Sequence, residues 1–234
     1  MGVAAIQERE HAFIRRAIEA WQRHPNIEIL GNREAERLSI VSFVVRHAGR
    51  YLHHNYVVAL LNDLFGIQSR GGCSCAGPYG HRLLGIDLER SHEFEREISR
   101  GCEGIKPGWV RVNFNYFISE SVFEFILEAV RLVATDGWRL LPNYRFEPAS
   151  GLWRHGGGLA EPPLSLHDIR YVEGRMSWPE HRRHEPEERL ADYLAEARAI
   201  LAIPPRPAEP PAPPDVDADF EALRWFALPH EVTV

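Results

Sequence analysis

The sequence predicts a mixed α/β fold, and three stretches carry most of that prediction. Residues 3–23 place apolar side chains at helical spacing against charged ones, as in a helix packed on a core. Residues 38–45 are apolar at nearly every position, which is typical of a strand covered on both faces. Residues 109–117 alternate strictly between apolar and polar side chains, so we expect a further strand there.

Shorter signals predict the elements between these stretches. Residues 27–30 alternate weakly and indicate a short strand, and residues 47–51 indicate a loop through a glycine. A helix is expected over residues 57–65, because Gly66 is placed to end it in a left-handed conformation. A short strand that ends at Arg70 follows this helix.

The second half of the fold begins with a polar helix over residues 89–99. Ser121 and Glu124 have the spacing of a capping box, which predicts that a core helix begins at Ser121. The pair Asp136-Gly137 should close this helix.

The character of the chain changes after residue 136. We expect residues 137–203 to form an extension that is first irregular and then helical. The helix of this extension should start at Pro186. Residues 204–218 are rich in proline and indicate an extended linker. The tail, residues 219–234, is aromatic enough to dock on the body of the protein.

Charge and cysteine content exclude several classes of function. The net charge of −6 offers no attraction to nucleic acid or to anionic lipid, so neither partner is expected. The sequence has no apolar run long enough to span a bilayer and no evident signal peptide. Three cysteines are an odd number, which argues against an oxidised secreted scaffold, and we therefore expect a cytoplasmic protein.

A glycine-rich loop at residues 70–80 is the main functional candidate. It holds Cys73 and Cys75 and follows directly on Arg70. The glycines allow backbone conformations that side chains forbid, and they let a ligand approach closely. The alternative is a tight turn around two small buried cysteines.

The strand over residues 109–117 carries a second candidate. Its apolar side chains share one face, and Arg111, Asn113 and Asn115 share the other, which lines a pocket or meets solvent. If Arg70 and Arg111 point at one ligand, they suit an anion, because arginine can grip a carboxylate with two hydrogen bonds. Guanidinium groups near a cysteine also favour its reactive thiolate form.

A zinc site is a further alternative, since the chain has thiol and imidazole groups that are suited to this metal. The candidate ligands are Cys73, Cys75, Cys102, His53, His54 and His81. Their spacing is wrong for the common zinc modules, because Cys-x-Cys is not the usual Cys-x-x-Cys pair and no second pair follows. The sequence therefore predicts no metal ligands.

The loop reads Arg70-Gly71-Gly72-Cys73-Ser74-Cys75-Ala76-Gly77-Pro78. It resembles the Arg-x-Gly-x-x-Cys-Ala-x-Pro loop of the cysteine desulfurases, which belong to the class V aminotransferase group of fold-type-I pyridoxal-phosphate (PLP) enzymes. Residues 110–116 are similar to the later strand of that family, whose arginine holds the substrate carboxylate. The order of elements over residues 1–136 matches the family's C-terminal small domain. The resemblance thus implies a small, mostly antiparallel sheet covered by helices.

The resemblance also implies roles for individual residues. Cys75 aligns with the nucleophile that takes sulfur from the substrate, and Arg70 and Arg111 align with the contacts to the substrate carboxylate. Cys73 and Asn113 are accessory candidates. Desulfurases of the closest group have histidine where this chain has Ser74, and its Gly-Cys-x-Cys pattern also resembles the molybdenum-cofactor sulfurases.

The cofactor implied by the resemblance is PLP, which would act as the electron sink that weakens the C–S bond. Lys106, the chain's one lysine, lies far from where the family order puts the PLP lysine. We therefore expect no cofactor-binding residue here and a large PLP-binding domain or subunit as partner. The complete enzyme, a homodimer by the same resemblance, would act on a small amino acid by sulfur transfer or C–S cleavage. The alternative is a non-catalytic module with structural or metal-binding cysteines.

Overall fold

The structure is a computed structural model of the 234-residue chain, and it describes residues 2–72, 77–158, 165–179, 185–207 and 209–232. Within these residues the chain forms seven α-helices: α1 (Val3–Gln22), α2 (His54–Phe65), α3 (Gly77–Leu84), α4 (Leu88–Ser99), α5 (Glu120–Asp136), α6 (Leu190–Ala202) and α7 (Ala218–Leu223). The same residues form nine β-strands: β1 (Ile27–Ile29), β2 (Ile40–His47), β3 (Arg50–Leu52), β4 (Arg70–Gly72), β5 (Trp109–Asn113), β6 (Tyr144–Glu147), β7 (Leu152–His155), β8 (Arg170–Val172) and β9 (Arg175–Ser177).

The centre of the fold is a five-stranded sheet. Its strands hydrogen-bond in the order β1-β2-β5-β4, and β3 pairs with the C-terminal part of β2. All of these pairings are antiparallel. The predicted α/β class, with a small antiparallel sheet covered by helices, is confirmed.

Helices α1, α2 and α5 cover one face of this sheet and form the main core with it. Trp21 of α1 shows how the layers interlock: its ring centroid lies 5.3 Å from that of Phe43 on β2 and 5.7 Å from that of Phe114. Its indole N–H donates to the carbonyl of Leu127 on α5. Burial of these large aromatic side chains is the dominant stabilising contribution to such a core.

The opposite face of the sheet is covered only in part. Leu30, Val44 and Trp109 form a second, smaller buried cluster there, and α3 packs on it through Leu83 and Leu84. Helix α3 overlaps the end of the predicted glycine-rich loop, residues 70–80, and its first four residues are Gly-Pro-Tyr-Gly. The proline in fact occupies the first turn of the helix, where its missing N–H is not needed.

Several predicted boundaries were wrong. Residues 47–51 are not an open loop but the turn of the β2–β3 hairpin, in which Ala48 and Gly49 both have positive φ, as type I′ turns require. The short strand starts at Arg70 rather than ending there. The alternating strand ends at Asn113 rather than at residue 117.

The start of α5 is a further correction. Its N-cap is Ser119, whose hydroxyl accepts a hydrogen bond from the N–H of Val122, so the predicted capping box at Ser121 is wrong. The predicted ends of two helices are confirmed, since α2 closes on Gly66 with φ +65° and α5 ends at Asp136.

The chain beyond residue 136 adds to the same core. The hairpin β6–β7 buries Tyr144 and Trp153, so this region is less irregular than predicted. The tail docks as expected, with Phe226 fully buried and bridged to Tyr51 of β3. The division of the chain at residue 136 stays a prediction. None of the described helices is both long enough and apolar enough to cross a membrane.

Candidate functional site

Arg70 and Arg111 lie side by side in the central sheet. Strands β4 and β5 pair antiparallel in a register that sets these two residues directly opposite each other. Directly opposite residues put their side chains on the same face, with Cβ atoms about 5 Å apart. The next strand continues the row, because Ser42 of β2 is the partner of Arg111 on its other side.

The Arg pair has no acidic neighbour among the residues described. Neither guanidinium forms an ion pair there, whereas other surface arginines, among them Arg16, Arg46 and Arg131, do. Arg111 is half-buried, and its Nε atom is buried without a hydrogen-bond partner. A buried donor that is left unpaired is costly, so this atom favours a ligand that accepts a hydrogen bond.

Asn113 lies on the same face of the sheet, two residues beyond Arg111. It is exposed, and its Oδ1 accepts a hydrogen bond of 3.0 Å from the hydroxyl of Ser39. The side-chain oxygen of Asn113 therefore already has a hydrogen-bond donor in the protein. Sequence reasoning missed Ser42, although it stands out as a polar interruption of an otherwise apolar strand.

Close packing fixes β4 over α2, and glycine makes that packing possible. A Cβ at Gly71 would lie 2.9 Å from Asn55 Oδ1, and a Cβ at Gly108 would lie 2.7 Å from the carbonyl carbon of Gly72. Gly72 itself has φ +118°, which side chains rarely adopt. The chain therefore leaves β4 from a rigidly held position.

The two loop cysteines cannot be placed on this framework. Cys73 and Cys75 lie in residues 73–76, outside the described residues. The described chain stops at Gly72, which is paired with Trp109, and resumes at Gly77, where α3 begins. Their predicted reactivity stays a prediction, as do the substrate-binding roles of Arg70 and Arg111.

A buried pair of histidines lies next to the start of the loop. His53 accepts a hydrogen bond at Nδ1 from the N–H of Asn55, so its Nε2, 3.1 Å from the carbonyl of Gly104, must carry the proton. Burial lowers the pKa of His53 well below 6.5, and the neighbouring His54 lowers it further. Burial also lowers the pKa of His54 to about 3, so both rings are neutral near pH 7.

These histidines were considered above as zinc ligands, but the structure gives them another setting. His54 stacks on Trp225 of the tail at 5.7 Å with an interplanar angle of 9°. In the part of the chain that is described, the only cluster with metal-ligand spacing is Glu97, Asp217 and Asp219, and Arg100 already binds its carboxylates. The described histidines and Cys102 form no such cluster.

The lysine needed for covalent attachment of PLP is also not found in this site. The ammonium group of Lys106 pairs with the carboxylate of Glu103, in the connection that precedes β5. The residues of this chain thus fit an anionic substrate group on the Arg pair, but they do not fit the covalent holding of PLP.

Comparison with known proteins adds one finding. Residues 1–95 match the family described as aminotransferase class-V, a range that runs from α1 through most of α4 and includes Arg70 and the cysteine loop. No curated protein sequence matches the chain significantly. Residues 1–95 are therefore a class V aminotransferase-like segment, and Arg111 lies outside the matched range.

Proposed function

Starting from this class V aminotransferase-like segment, we propose that the chain is the substrate-binding part of a PLP-dependent enzyme that acts on an amino acid. The family match supports the coarser statement of a PLP-dependent, aminotransferase-like function. The finer proposal is that residues 1–136 serve as a small domain for sulfur transfer or C–S cleavage. A large PLP-binding domain, on the same or another polypeptide, completes the enzyme.

The observation that carries this proposal is the row formed by Ser42, Arg111 and Arg70. Its two guanidinium groups have no carboxylate partner among the described residues. The Nε–H of Arg111 is a buried donor without a hydrogen-bond acceptor among these residues. A substrate carboxylate satisfies both needs, since each of its oxygens can accept charge-assisted hydrogen bonds. In this role the row binds the carboxylate and so orients the rest of the amino acid.

Cys75 is the proposed sulfur acceptor. In the sequence it follows Gly72, the last residue of β4, by three residues. The positive field of Arg70 and Arg111 favours the thiolate, which is the nucleophilic form. The thiolate would attack the substrate's sulfur and form the S–S bond of a persulfide. The C–S bond would break with its electron pair left on the substrate carbon, which then takes up a proton. Cys73 is the second candidate for this role.

A partner surface is expected around the Arg pair. Leu38, Ile40 and Phe117 are exposed apolar side chains where β2 begins and just after β5 ends, and Ile40 is the register partner of Asn113. Exposed apolar side chains that are grouped together often mark a surface that another protein or domain covers. This grouping supports a large domain that closes over the site.

The first test measures the reactivity of Cys75 in the purified chain. Alkylation by iodoacetamide is followed against pH, with peptide mapping to separate Cys73, Cys75 and Cys102. We expect the pKa of Cys75 to lie below that of a free thiol and to rise in Arg70→Gln and Arg111→Gln. The exposed Arg145, which pairs with Glu209 on another part of the surface, provides the matched control Arg145→Gln. The proposal would be contradicted if the pKa of Cys75 equalled that of a free thiol. It would also be contradicted if Arg145→Gln raised the pKa of Cys75 as much as Arg70→Gln and Arg111→Gln do.

The second test adds a PLP-binding class V domain. With dithiothreitol present to reduce the persulfide, sulfide release from L-cysteine should require both proteins and should be lost in Cys75→Ala. Cysteamine, which lacks the carboxylate, should be a poor substrate, and Arg111→Gln should reduce the preference for L-cysteine over cysteamine. Stoichiometric zinc in the purified chain, with no activity in the mixture, would instead favour the non-catalytic alternative.

A further inference from the structure

A cavity lies on the same face of the sheet as the Arg pair but apart from it. Its volume is about 660 Å³, and it lies between the sheet, the end of α3, the start of α4 and the tail. Arg70, Arg111 and Ser42 do not line it. A cavity of this size accommodates a small organic molecule.

The base and one wall of this cavity are apolar. Leu30 and Val44 form the base as members of the smaller buried cluster, and Leu84 of α3 packs against them. The buried aromatic ring of Phe94 on α4 also lines the cavity. The apolar lining favours a ligand with a hydrophobic body.

Two aromatic rings, those of Tyr51 and Trp225, form a rigid corner of the cavity. Their centroids lie 6.4 Å apart with an angle of 59° between the rings. Trp225 donates a hydrogen bond from Nε1 to the carbonyl of Ile105 at 3.0 Å. Its indole ring also stacks on the ring of His54. The backbones are also joined, because the N–H of Tyr51 donates to the carbonyl of Trp225. A ligand ring can pack on this corner without a loss of side-chain entropy.

Four charged side chains line the cavity, and three of them already have partners. Glu28 accepts from Arg46 through Oε2 at 2.9 and 2.7 Å. Asp87 caps α4 by accepting from the N–H of Arg90. The guanidinium of Arg90 in turn contacts Glu93 and donates to the carbonyls of the tail.

Arg82 is the fourth charge, and it differs from the others. It is exposed in the last turn of α3, and within the described residues its guanidinium forms neither an ion pair nor a hydrogen bond. Arg82 is therefore the one charged side chain of the lining without a partner among the described residues. A guanidinium of this kind favours a ligand with a carboxylate or a similar anionic group.

We propose that this cavity binds a planar aromatic molecule that carries one anionic group. The ring packs between the Leu30–Val44 base and the Tyr51–Trp225 corner, and the anion binds Arg82. This site is independent of the proposed substrate site, because it shares no residue with the row of Ser42, Arg111 and Arg70. It would be a second ligand site on the same face of the sheet.

The test compares two probes of nearly equal shape by calorimetric titration of the full chain. Indole-3-acetate carries a ring and a carboxylate, and tryptophol carries the same ring with a neutral hydroxyl. We expect saturable binding of indole-3-acetate and about tenfold weaker binding of tryptophol, the size expected for one hydrogen bond to a charged group. Absence of saturable binding of indole-3-acetate would overturn the proposal, and so would equal affinity for the two probes.

Two variants and one control variant assign the site. Arg82→Gln should weaken indole-3-acetate about tenfold and leave tryptophol unchanged. The control Arg96→Gln removes an exposed charge from α4 that does not line the cavity, and it should change neither affinity. Leu84→Trp fills the cavity and should abolish binding of both probes. If Arg82→Gln and Arg96→Gln weakened indole-3-acetate binding equally, Arg82 would act only through the net charge of the protein, and the proposed site would be refuted. This comparison holds even if Leu84→Trp proves unstable.

Discussion

The carboxylate of Glu231 should make a measurable and strongly pH-dependent contribution to stability. It accepts from Arg224 Nη2 at 2.6 Å and Nη1 at 2.9 Å, from the N–H of Leu228 at 2.8 Å, and from Arg50 Nη1 at 3.0 Å. Arg224 is almost fully buried and depends on these contacts. Together they hold the tail that carries Trp225 against β3.

The magnitude follows from the pKa of this carboxyl group. Burial by itself raises the pKa of Glu231, but the hydrogen bonds and charges of Arg224, the N–H of Leu228 and Arg50 outweigh it and lower the pKa from 4.5 to about 2. A difference of that size corresponds to at most about 3.4 kcal/mol at neutral pH. The side chain is 31% exposed, so screening by solvent reduces the expected contribution to about 2 kcal/mol.

The perturbation is Glu231→Gln, which removes the charge at nearly constant volume. Urea unfolding at pH 7 should show a loss of about 2 kcal/mol in the free energy of unfolding. The folded pKa is depressed, so the contribution is complete above pH 4.5 and is lost as the pH falls towards 2. The difference between wild type and Glu231→Gln should therefore shrink over this range.

The matched control is Glu209→Gln. Glu209 is highly exposed and pairs with Arg145 at 3.3 Å, so its loss should change stability by less than about 0.5 kcal/mol. A Glu231→Gln effect no larger than that of Glu209→Gln would refute the reasoning. A Glu231→Gln effect that persisted unchanged at pH 2 would refute it as well.

Three further predictions concern stability and are measured by the same urea titration. Gly108→Ala should lose about 1–3 kcal/mol because its Cβ overlaps neighbouring backbone, whereas Gly77→Ala, whose Cβ meets no atom of the described residues within 4 Å, should lose none. Ser119→Ala should lose about 1 kcal/mol as the true N-cap of α5, and an equal or larger loss in Ser121→Ala would contradict that assignment. Tyr56→Phe should lose about 1–2 kcal/mol, because the buried hydroxyl donates at 2.6 Å to a backbone carbonyl, and a neutral result would mean that this carbonyl finds another donor.

Local patterns in the sequence predicted most of the secondary structure around the site. The apolar run of β2, the alternation of β5 and the glycine after α2 depend on side chains within a few residues of each other. For the same reason the predictions failed where two local signals compete. Ser119 and Ser121 both suit an N-cap, and only the path of the chain into α5 selects Ser119.

The sequence by itself determined the candidate residues, which are two arginines and a cysteine loop, and it determined that the chain has a single lysine. Only the tertiary structure decided that Arg70 and Arg111 are partners in one antiparallel register, that His54 lies beneath the start of the loop, and that the tail completes a cavity beside Tyr51. The physical reason is distance along the chain. Strand register and the packing of the tail join residues that are tens of residues or more apart, and these contacts are selected by burial of the whole core rather than by any local pattern.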